Sequence, residues 1–202
     1  MSTSTAKNRI QDIIAQYKAA ARPFTYQDYL ALPDTGDRYE ILKGELIMVA
    51  APNTMHQIVS GNLEFIIRTF FKKQPVGIVL DAPCDVVLSE INVVQPDILV
   101  ILKKRKAIIQ HACVQGAPDW IIEILSPASQ QYDFGLKKAI YEEHGVKEYW
   151  IVHPKEQWIE QYVLQGNALK LSNRLEQTGR LASHVVAGLQ VDLKEVFDYG
   201  IE

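Results

Sequence analysis

One stretch of the chain constrains its fold more than any other: a short apolar run, Trp120 to Leu125, that contains a single acid, Glu123. An unbroken apolar run with β-branched residues is typical of a strand that is covered on both faces of its sheet. A carboxylate in such a strand must leave water, which costs roughly several kcal/mol unless the group is paired or binds a metal. Glu123 therefore indicates a site as well as a strand.

A helix is expected directly after this strand, because Pro127 cannot donate to a β-ladder. Asp133, Lys137 and Tyr141 follow at intervals of four residues and therefore share one face of that helix. The connecting turn is short enough to bring Lys137 close to Glu123 over the end of the sheet. The same Asp133–Lys137 spacing is common on exposed helix faces, where such a pair contributes about 0.3 kcal/mol, and an exposed pair is the alternative.

Asp97 repeats the pattern of Glu123, because it opens a second, nearly all-apolar run that ends at Leu102. On adjacent strands the two carboxylates converge with the carbonyl of Ile124. Oxygen ligands of this kind suit a hard cation such as Mg²⁺ or Mn²⁺. Two close carboxylates cannot both stay ionised without a cation or a proton. We therefore expect a metal at Asp97, Glu123 and Ile124, and neutralisation of the acids by arginine or backbone amides is the alternative.

A metal at this position favours hydrolysis at phosphorus. The bound cation lowers the pKa of a water that attacks, and it stabilises the charge that develops. Lys137 is the candidate to orient that water or to neutralise the transition state.

Composition and charge limit the partners of the chain. Its 202 residues suffice for one sizeable domain, or for a domain with a small appendage. The net charge of −3 excludes a global positive field, so nucleic-acid binding requires a local basic patch. The basic run from Lys103 to Lys106 is either a solvated strand end or a phosphate-contact patch near the acids.

Cysteine usage and hydropathy favour a cytoplasmic protein without a membrane partner. Cys84 and Cys113 do not form a Cys-x-x-Cys pair, and they suit a reduced compartment better than a disulfide framework. No apolar run reaches membrane-spanning length, and the first residues lack the apolar core of a signal peptide.

A hairpin in the first quarter of the chain carries two more candidate acids. Residues 38–50 predict two strands around a turn at Lys43 and Gly44, with Glu40 and Glu45 on either side of that turn. Two solvated carboxylates are the alternative.

A long helix is expected to begin at Asn53 or Thr54, either of which can cap it. His56 stands in its first turn, and Glu64 follows two turns later on the same face. An isolated helical histidine is more often a packed or surface residue than a ligand, so the packed role is the alternative.

Taken in order, these motifs resemble the Uma2 family, which belongs to the PD-(D/E)xK superfamily of restriction-endonuclease-like proteins. The resemblance lies in the joint order of the motifs rather than in any one of them. The segments that carry it are Tyr39–Leu46, Pro52, His56, Gln95–Ile98, Glu123–Pro127, Asp133–Lys137, Tyr141 and Gly145–Val152. It implies an α/β fold with a restriction-endonuclease-like core, in which a mixed central β-sheet is flanked by helices. It also implies divalent-metal-dependent hydrolysis of phosphodiester bonds, with DNA as the expected substrate.

The resemblance implies roles for individual residues. Asp97 matches the first acid of the superfamily motif and Glu123 matches the second. The superfamily lysine stands two residues after the second acid, where this chain has Leu125. In the family the lysine moves to the next helix, which implies Lys137, with Lys138 as the substitute if the register is shifted by one.

Further candidates surround this set. Glu45 matches an upstream catalytic acid, with Glu40 and Glu64 as its competitors, and His56 and Asp133 are additional site candidates. The implied nuclease domain spans residues 24–202.

Residues 1–23 are expected to form an N-terminal helical extension, with Ile10 and Tyr17 on its apolar face. A homodimer is expected, because nucleases of this size often use two copies to cut two strands.

Two other functions remain as alternatives. The first is a catalytically inactive nuclease-fold module that binds DNA or a protein, although intact Asp97, Glu123 and Lys137 argue against a loss of activity. The second is a two-carboxylate hydrolase of another bond, such as a glycosidase, which leaves Lys137 without a role.

Overall fold

Two main β-sheets and the helices packed against them form residues 3–127 and 129–200, the part of the chain that the computed structural model describes. The helices are α1 (Thr3–Ala19), α2 (Tyr26–Leu30), α3 (Thr54–Lys73), α4 (Lys138–Glu143) and α5 (Leu193–Val196). The strands are β1 (Arg38–Leu42), β2 (Glu45–Val49), β3 (Gly77–Asp81), β4 (Val86–Ser89), β5 (Asn92–Val94), β6 (Ile98–Leu102), β7 (Val114–Gln115), β8 (Trp120–Ile124), β9 (Glu148–His153), β10 (Trp158–Gln165), β11 (Ala168–Glu176), β12 (Arg180–Ala182) and β13 (Gln190–Asp192). None of the described helices combines the length and apolarity needed to cross a membrane.

The larger sheet has six strands in the order β11-β10-β9-β8-β6-β3. Strands β8 and β9 run parallel and the other neighbouring pairs run antiparallel, so the predicted mixed sheet is confirmed. Apolar side chains of α3 and α5 cover one face, and α4 with the smaller sheet covers the other. Strand β8 lies between these layers and is buried at every position, which explains its apolar sequence.

The smaller sheet has five strands in the order β2-β1-β5-β4-β7. Ile41, Val87 and Val93 form an apolar cluster on it, against which Ile13 and Tyr17 of α1 pack. The expected N-terminal helix is therefore present and rests on this sheet, while the division of the chain after residue 23 stays a prediction.

Local signals in the sequence explain where two of these elements begin or turn. The Asn53 side chain accepts a hydrogen bond of 2.9 Å from the His56 N–H, so Asn53 is the N-cap of α3. Lys43 and Gly44 form the β1–β2 turn with φ angles of 50° and 81°. A Cβ atom at Gly44 would lie 2.6 Å from the Cβ of Pro23, so this position requires glycine.

The helix predicted after β8 is present, but its first part is a π-helical segment, Tyr132–Lys137, that continues into α4. Asp133 and Lys137 are both buried, and Tyr141 of α4 is fully buried beside them. The alternative of an exposed acid–lysine pair is therefore wrong. Wide π-helical turns are frequent at functional sites, and no sequence signal distinguished this one from an α-helix.

Candidate active site

Two acids meet where β6 and β8 end side by side. The ladder pairs Ile98 with Ile122, so the next pair outward is Asp97 opposite Glu123. Directly opposed residues of an antiparallel pair project to the same face of the sheet. Both residues line one cleft, together with Glu40, and we call it the acidic cleft.

The acidic cleft lies between the end of the larger sheet and the β1–β2 hairpin. It offers about 70 Å³ to water-sized molecules, which is room for a small cation and a few waters. His56 of α3 and Lys137 of the π-helical segment also line it.

Asp97 is held through one oxygen and is open at the other. Its Oδ2 accepts a hydrogen bond of 2.7 Å from the Ile124 N–H. The same oxygen lies 3.1 Å from Nε2 of His56. Within the part of the chain that the structure describes, Oδ1 makes no hydrogen bond, and the side chain is 20% exposed. The Ile124 amide thus contacts Asp97, where the sequence predicted a role for the Ile124 carbonyl.

Glu123, like Asp97, accepts hydrogen bonds from the protein on only one of its two carboxylate oxygens, among the described residues. Its Oε1 accepts hydrogen bonds of 3.1 Å from Nζ of Lys137 and 2.5 Å from the Tyr141 hydroxyl. No described residue donates to its Oε2. Burial raises the pKa of Glu123 well above its usual value, against the lowering effect of Lys137 and with a further increase from Asp133. A positive charge in addition to that of Lys137 is therefore needed to keep this carboxylate ionised.

Lys137 lies among three carboxylates, and we call Glu40, Glu123, Asp133 and Lys137 the lysine cluster. The Nζ atom of Lys137 lies 2.9 Å from Oε1 of Glu40, 3.1 Å from Oε1 of Glu123 and 3.7 Å from Oδ1 of Asp133. Burial lowers the pKa of Lys137, but the carboxylates of Glu123, Glu40 and Asp133 outweigh burial and hold that pKa well above its usual value. The ammonium therefore stays charged.

Asp133 is the least satisfied member of the lysine cluster. It is 1% exposed, and neither of its carboxylate oxygens has a hydrogen-bond partner among the described residues. Burial is the largest cause that raises its pKa, to about 6, against the lowering effect of Lys137. Three carboxyl groups therefore surround one ammonium, which is more than a single positive charge can pair with.

Glu40 lies at the site, where Glu45 was the first candidate for the upstream acid and Glu40 its competitor. Glu40 is 4% exposed, and its Oε1 accepts a hydrogen bond of 2.7 Å from the Gln95 N–H. Glu45 is exposed at the turn and does not line the acidic cleft. Glu64 is also outside the cleft and pairs with Arg68 at 2.5 Å. Glu45 pairs with Leu42 and therefore projects from the same face of the hairpin as Glu40. Glu40 reaches the acidic cleft because of how the hairpin packs against the larger sheet, which the sequence did not disclose.

Lys138 points away from the acids. Its Nζ lies 4.8 Å from the centre of the Tyr162 ring, so Lys137 is the lysine that the helix directs into the site.

The basic run lies elsewhere. It forms a 3₁₀ helix, Lys103–Ile108, after the end of β6 that is opposite to Asp97. Five strand residues, roughly 17 Å, separate the two ends. Arg105 there pairs with Asp119 at 3.4 Å. The run is therefore not a phosphate patch near the acids.

Three residues at the site were not assigned a role from the sequence. The Gln95 N–H holds Glu40, and the Tyr149 hydroxyl donates a hydrogen bond of 3.0 Å to the Asp133 carbonyl. Arg38 lines the acidic cleft. Its position two residues before Glu40 on a strand was the available signal, because such residues share a face.

A model of a known protein family matches most of the chain. The model of the Uma2 family, described as "Putative restriction endonuclease", matches residues 26–194. This chain belongs to the Uma2 family. The acidic cleft and the lysine cluster both lie within the matched residues.

A solved structure shares the fold of this Uma2 protein. It is described as a "putative nuclease belonging to DUF820" from Anabaena variabilis. The two chains are 23% identical and superpose with a TM-score of 0.72, over 88% of this chain and 99% of the other. No curated protein matches this chain.

The donor set of the acidic cleft fits a hard cation. Asp97 Oδ1 and Glu123 Oε2 make no hydrogen bond to a described residue, and both belong to carboxylates, the ligands that Mg²⁺ and Mn²⁺ prefer. Among described residues, no three His, Cys, Asp or Glu side chains form a metal-binding group. Two carboxylates nevertheless suffice for Mg²⁺, which usually keeps several waters and takes further ligands from a substrate phosphate.

Proposed function

We propose that this Uma2 protein is a divalent-metal-dependent endonuclease that hydrolyses phosphodiester bonds of DNA with Mg²⁺ or Mn²⁺. The observation that supports this most is the pair Asp97 and Glu123, each with one oxygen held by the protein and one oxygen without a partner among the described residues. Fixed acceptors of this kind are pre-organised for a cation, because the held oxygens set the direction of the free ones.

The cation would be held by Asp97 Oδ1 and Glu123 Oε2, with the Ile124 carbonyl as a third ligand. When bound, it supplies a water of lowered pKa and stabilises charge that develops on the phosphate. His56 fixes the orientation of Asp97 by its contact with Oδ2, and Tyr141 fixes Glu123 by its contact with Oε1.

Lys137 is proposed to act on the attacking water or on the transition state. An ammonium has three N–H donors, and two of them have partners within hydrogen-bond distance, on Glu40 and Glu123. The third is available, because Asp133 at 3.7 Å is beyond hydrogen-bond length. Glu40 is proposed as the upstream acid of the site, and its role is to position Lys137 through their ion pair.

The alternative is a catalytically inactive nuclease-fold module that binds DNA or a protein. One observation favours it: the described residues contain no group of three metal-binding side chains.

The deciding experiment is a cleavage assay with plasmid, single-stranded DNA and RNA, in Mg²⁺ or Mn²⁺ and in chelator. We expect metal-dependent cleavage of DNA that is lost in Asp97→Asn and in Glu123→Gln, by about 100-fold or more. Glu45→Gln is the matched control, since it removes an exposed acid of the same hairpin and should cleave normally. Binding of DNA without cleavage in either metal favours the inactive module.

A homodimer is part of the proposal, because nucleases of this size often use two copies to cut the two strands of a duplex. Sedimentation of the free protein and of its complex with duplex DNA tests this point. A monomer that cleaves both strands would remove dimerisation from the proposal.

A further inference from the structure

Arg38 is the second cationic side chain that lines the acidic cleft, after Lys137. The two cations differ in what surrounds them. Lys137 lies within 3.7 Å of three carboxylates. The Arg38 guanidinium takes part in no ion pair and no hydrogen bond with any residue that the structure describes.

A phosphodiester that enters this cleft meets a strongly negative surface. Glu40, Asp97 and Glu123 line it, and Asp133 is buried behind Lys137. The charge of Lys137 is already offset by its carboxylate neighbours, so it does little to attract another anion. One divalent cation at Asp97 and Glu123 offsets those two acids and leaves the phosphate itself to be balanced. The cleft therefore needs one more positive group that is not already paired.

Strand geometry places Arg38 where it can meet this need. It stands two residues before Glu40 on β1, so both side chains project from the same face, with Cα atoms about 7 Å apart. Arg38 is paired across the hairpin with Val49, which also lines the cleft. It is partly exposed, whereas Glu40 is buried, so it lies toward the solvent side of the acids.

We propose that Arg38 binds non-bridging phosphate oxygens of the nucleic-acid backbone and so holds the phosphodiester at the entrance of the acidic cleft. This inference rests on the proposed nuclease function. A guanidinium suits the task, because its planar set of N–H donors matches two phosphate oxygens at once. Each phosphate contact of this kind releases a counterion, which makes binding depend on salt.

The test is the binding of a labelled DNA duplex, measured by fluorescence anisotropy in Ca²⁺ over a range of salt concentrations. We expect Arg38→Ala to weaken binding about tenfold at low salt and to reduce the slope of log affinity against log salt by about one. Arg38→Lys should restore the slope but only part of the affinity, because it keeps the charge and loses the planar fork. Lys170→Ala on β11 is the charge-matched control and should leave both quantities unchanged.

Two further measurements separate a binding role from a structural one. Thermal melting should show Arg38→Ala as stable as the unmodified protein, and calorimetry should show the same affinity for Mn²⁺ without DNA. In cleavage assays the variant should raise KM more than it lowers kcat.

The outcomes also separate this inference from the proposed function. If the unmodified protein binds and cleaves DNA and Arg38→Ala keeps the same affinity and salt slope, the role of Arg38 is overturned and the nuclease stands. If the unmodified protein neither binds nor cleaves nucleic acid, the nuclease proposal and the role of Arg38 both fail.

Discussion

Two buried glutamates on neighbouring parallel strands, Glu123 of β8 and Glu148 of β9, have opposite surroundings. Glu148 is fully buried, yet both of its oxygens are saturated. Its hydrogen-bond donors are the Trp150 Nε1 at 2.7 Å, the Gln161 Nε2 at 2.6 Å, the Ser183 hydroxyl at 2.7 Å and the Val185 N–H at 2.9 Å. Glu123 has two donors on one oxygen and no donor among described residues on the other.

The two glutamates also face different layers. Glu148 projects with Trp150 toward the layer that contains α3 and α5, and it ties the segment around Ser183 to the sheet. Glu123 projects toward the acidic cleft. A saturated carboxylate of this kind is structural, because no lone pair remains for a ligand. An incompletely satisfied one that is surrounded by further acids costs stability, and a bound cation would offset that cost.

A substitution in the lysine cluster should have the largest effect and so tests most strongly the difference between Glu123 and Glu148. Among the residues that the structure describes, Lys137→Ala removes the one cation that pairs with the three buried acids Glu40, Glu123 and Asp133. Breaking a buried pair in this way costs about 3–5 kcal/mol, because the partner charges stay buried. We expect the largest loss of stability in denaturant unfolding, and loss of most turnover with Mn²⁺ binding retained.

Two control variants sharpen this prediction. Lys138→Ala should keep both stability and turnover, since that side chain lies over Tyr162. Lys137→Ala combined with Glu123→Gln should recover part of the lost stability, and full additivity of the two changes would show that the pair does not interact. Unchanged turnover in Lys137→Ala would move the catalytic assignment to another residue.

The contrast also explains what could be predicted from the sequence. Asp97 and Glu123 each stood out as an acid in a strand built for burial, but their convergence was conditional on the two strands being adjacent, which the ladder between β6 and β8 establishes. Lys137 was indicated by its place on the helix after Glu123 and by the family resemblance, since its spacing to Asp133 alone is equally typical of an exposed pair. Glu40 and Glu45 could not be separated, because the outcome depends on how the hairpin packs against the larger sheet. The donors of Glu148 come from residues up to 37 positions away, and no local pattern encodes such a contact.

The second prediction concerns Glu148, whose substitution should reduce stability less than Lys137→Ala does and should leave catalysis unchanged. Glu148→Gln keeps the shape of the side chain but removes the charge and turns one acceptor into a donor. That donor faces the Ser183 hydroxyl or the indole and amide groups. We expect a loss of about 2 kcal/mol in unfolding free energy, in line with hydrogen bonds to a charged group. The cleavage rate per folded molecule should not change, and a specific loss of turnover would contradict a purely structural role.

Asp119 is a third buried acid, and its carboxylate is paired with cations. Of the substitutions considered, its replacement should change the stability of the fold least. Burial raises the pKa of Asp119, but Lys147, the Leu102 N–H and Arg105 outweigh burial, so the pKa is lowered overall. A carboxyl with a lowered pKa in the folded protein contributes stability above its unfolded pKa of about 3.9, and this contribution is lost as the pH falls through the folded pKa. Asp119→Asn should therefore reduce stability at pH 7 and flatten the acid side of the stability curve. Unfolding measured from pH 7 to pH 3 checks this, and parallel curves for the variant and the unmodified protein would contradict it.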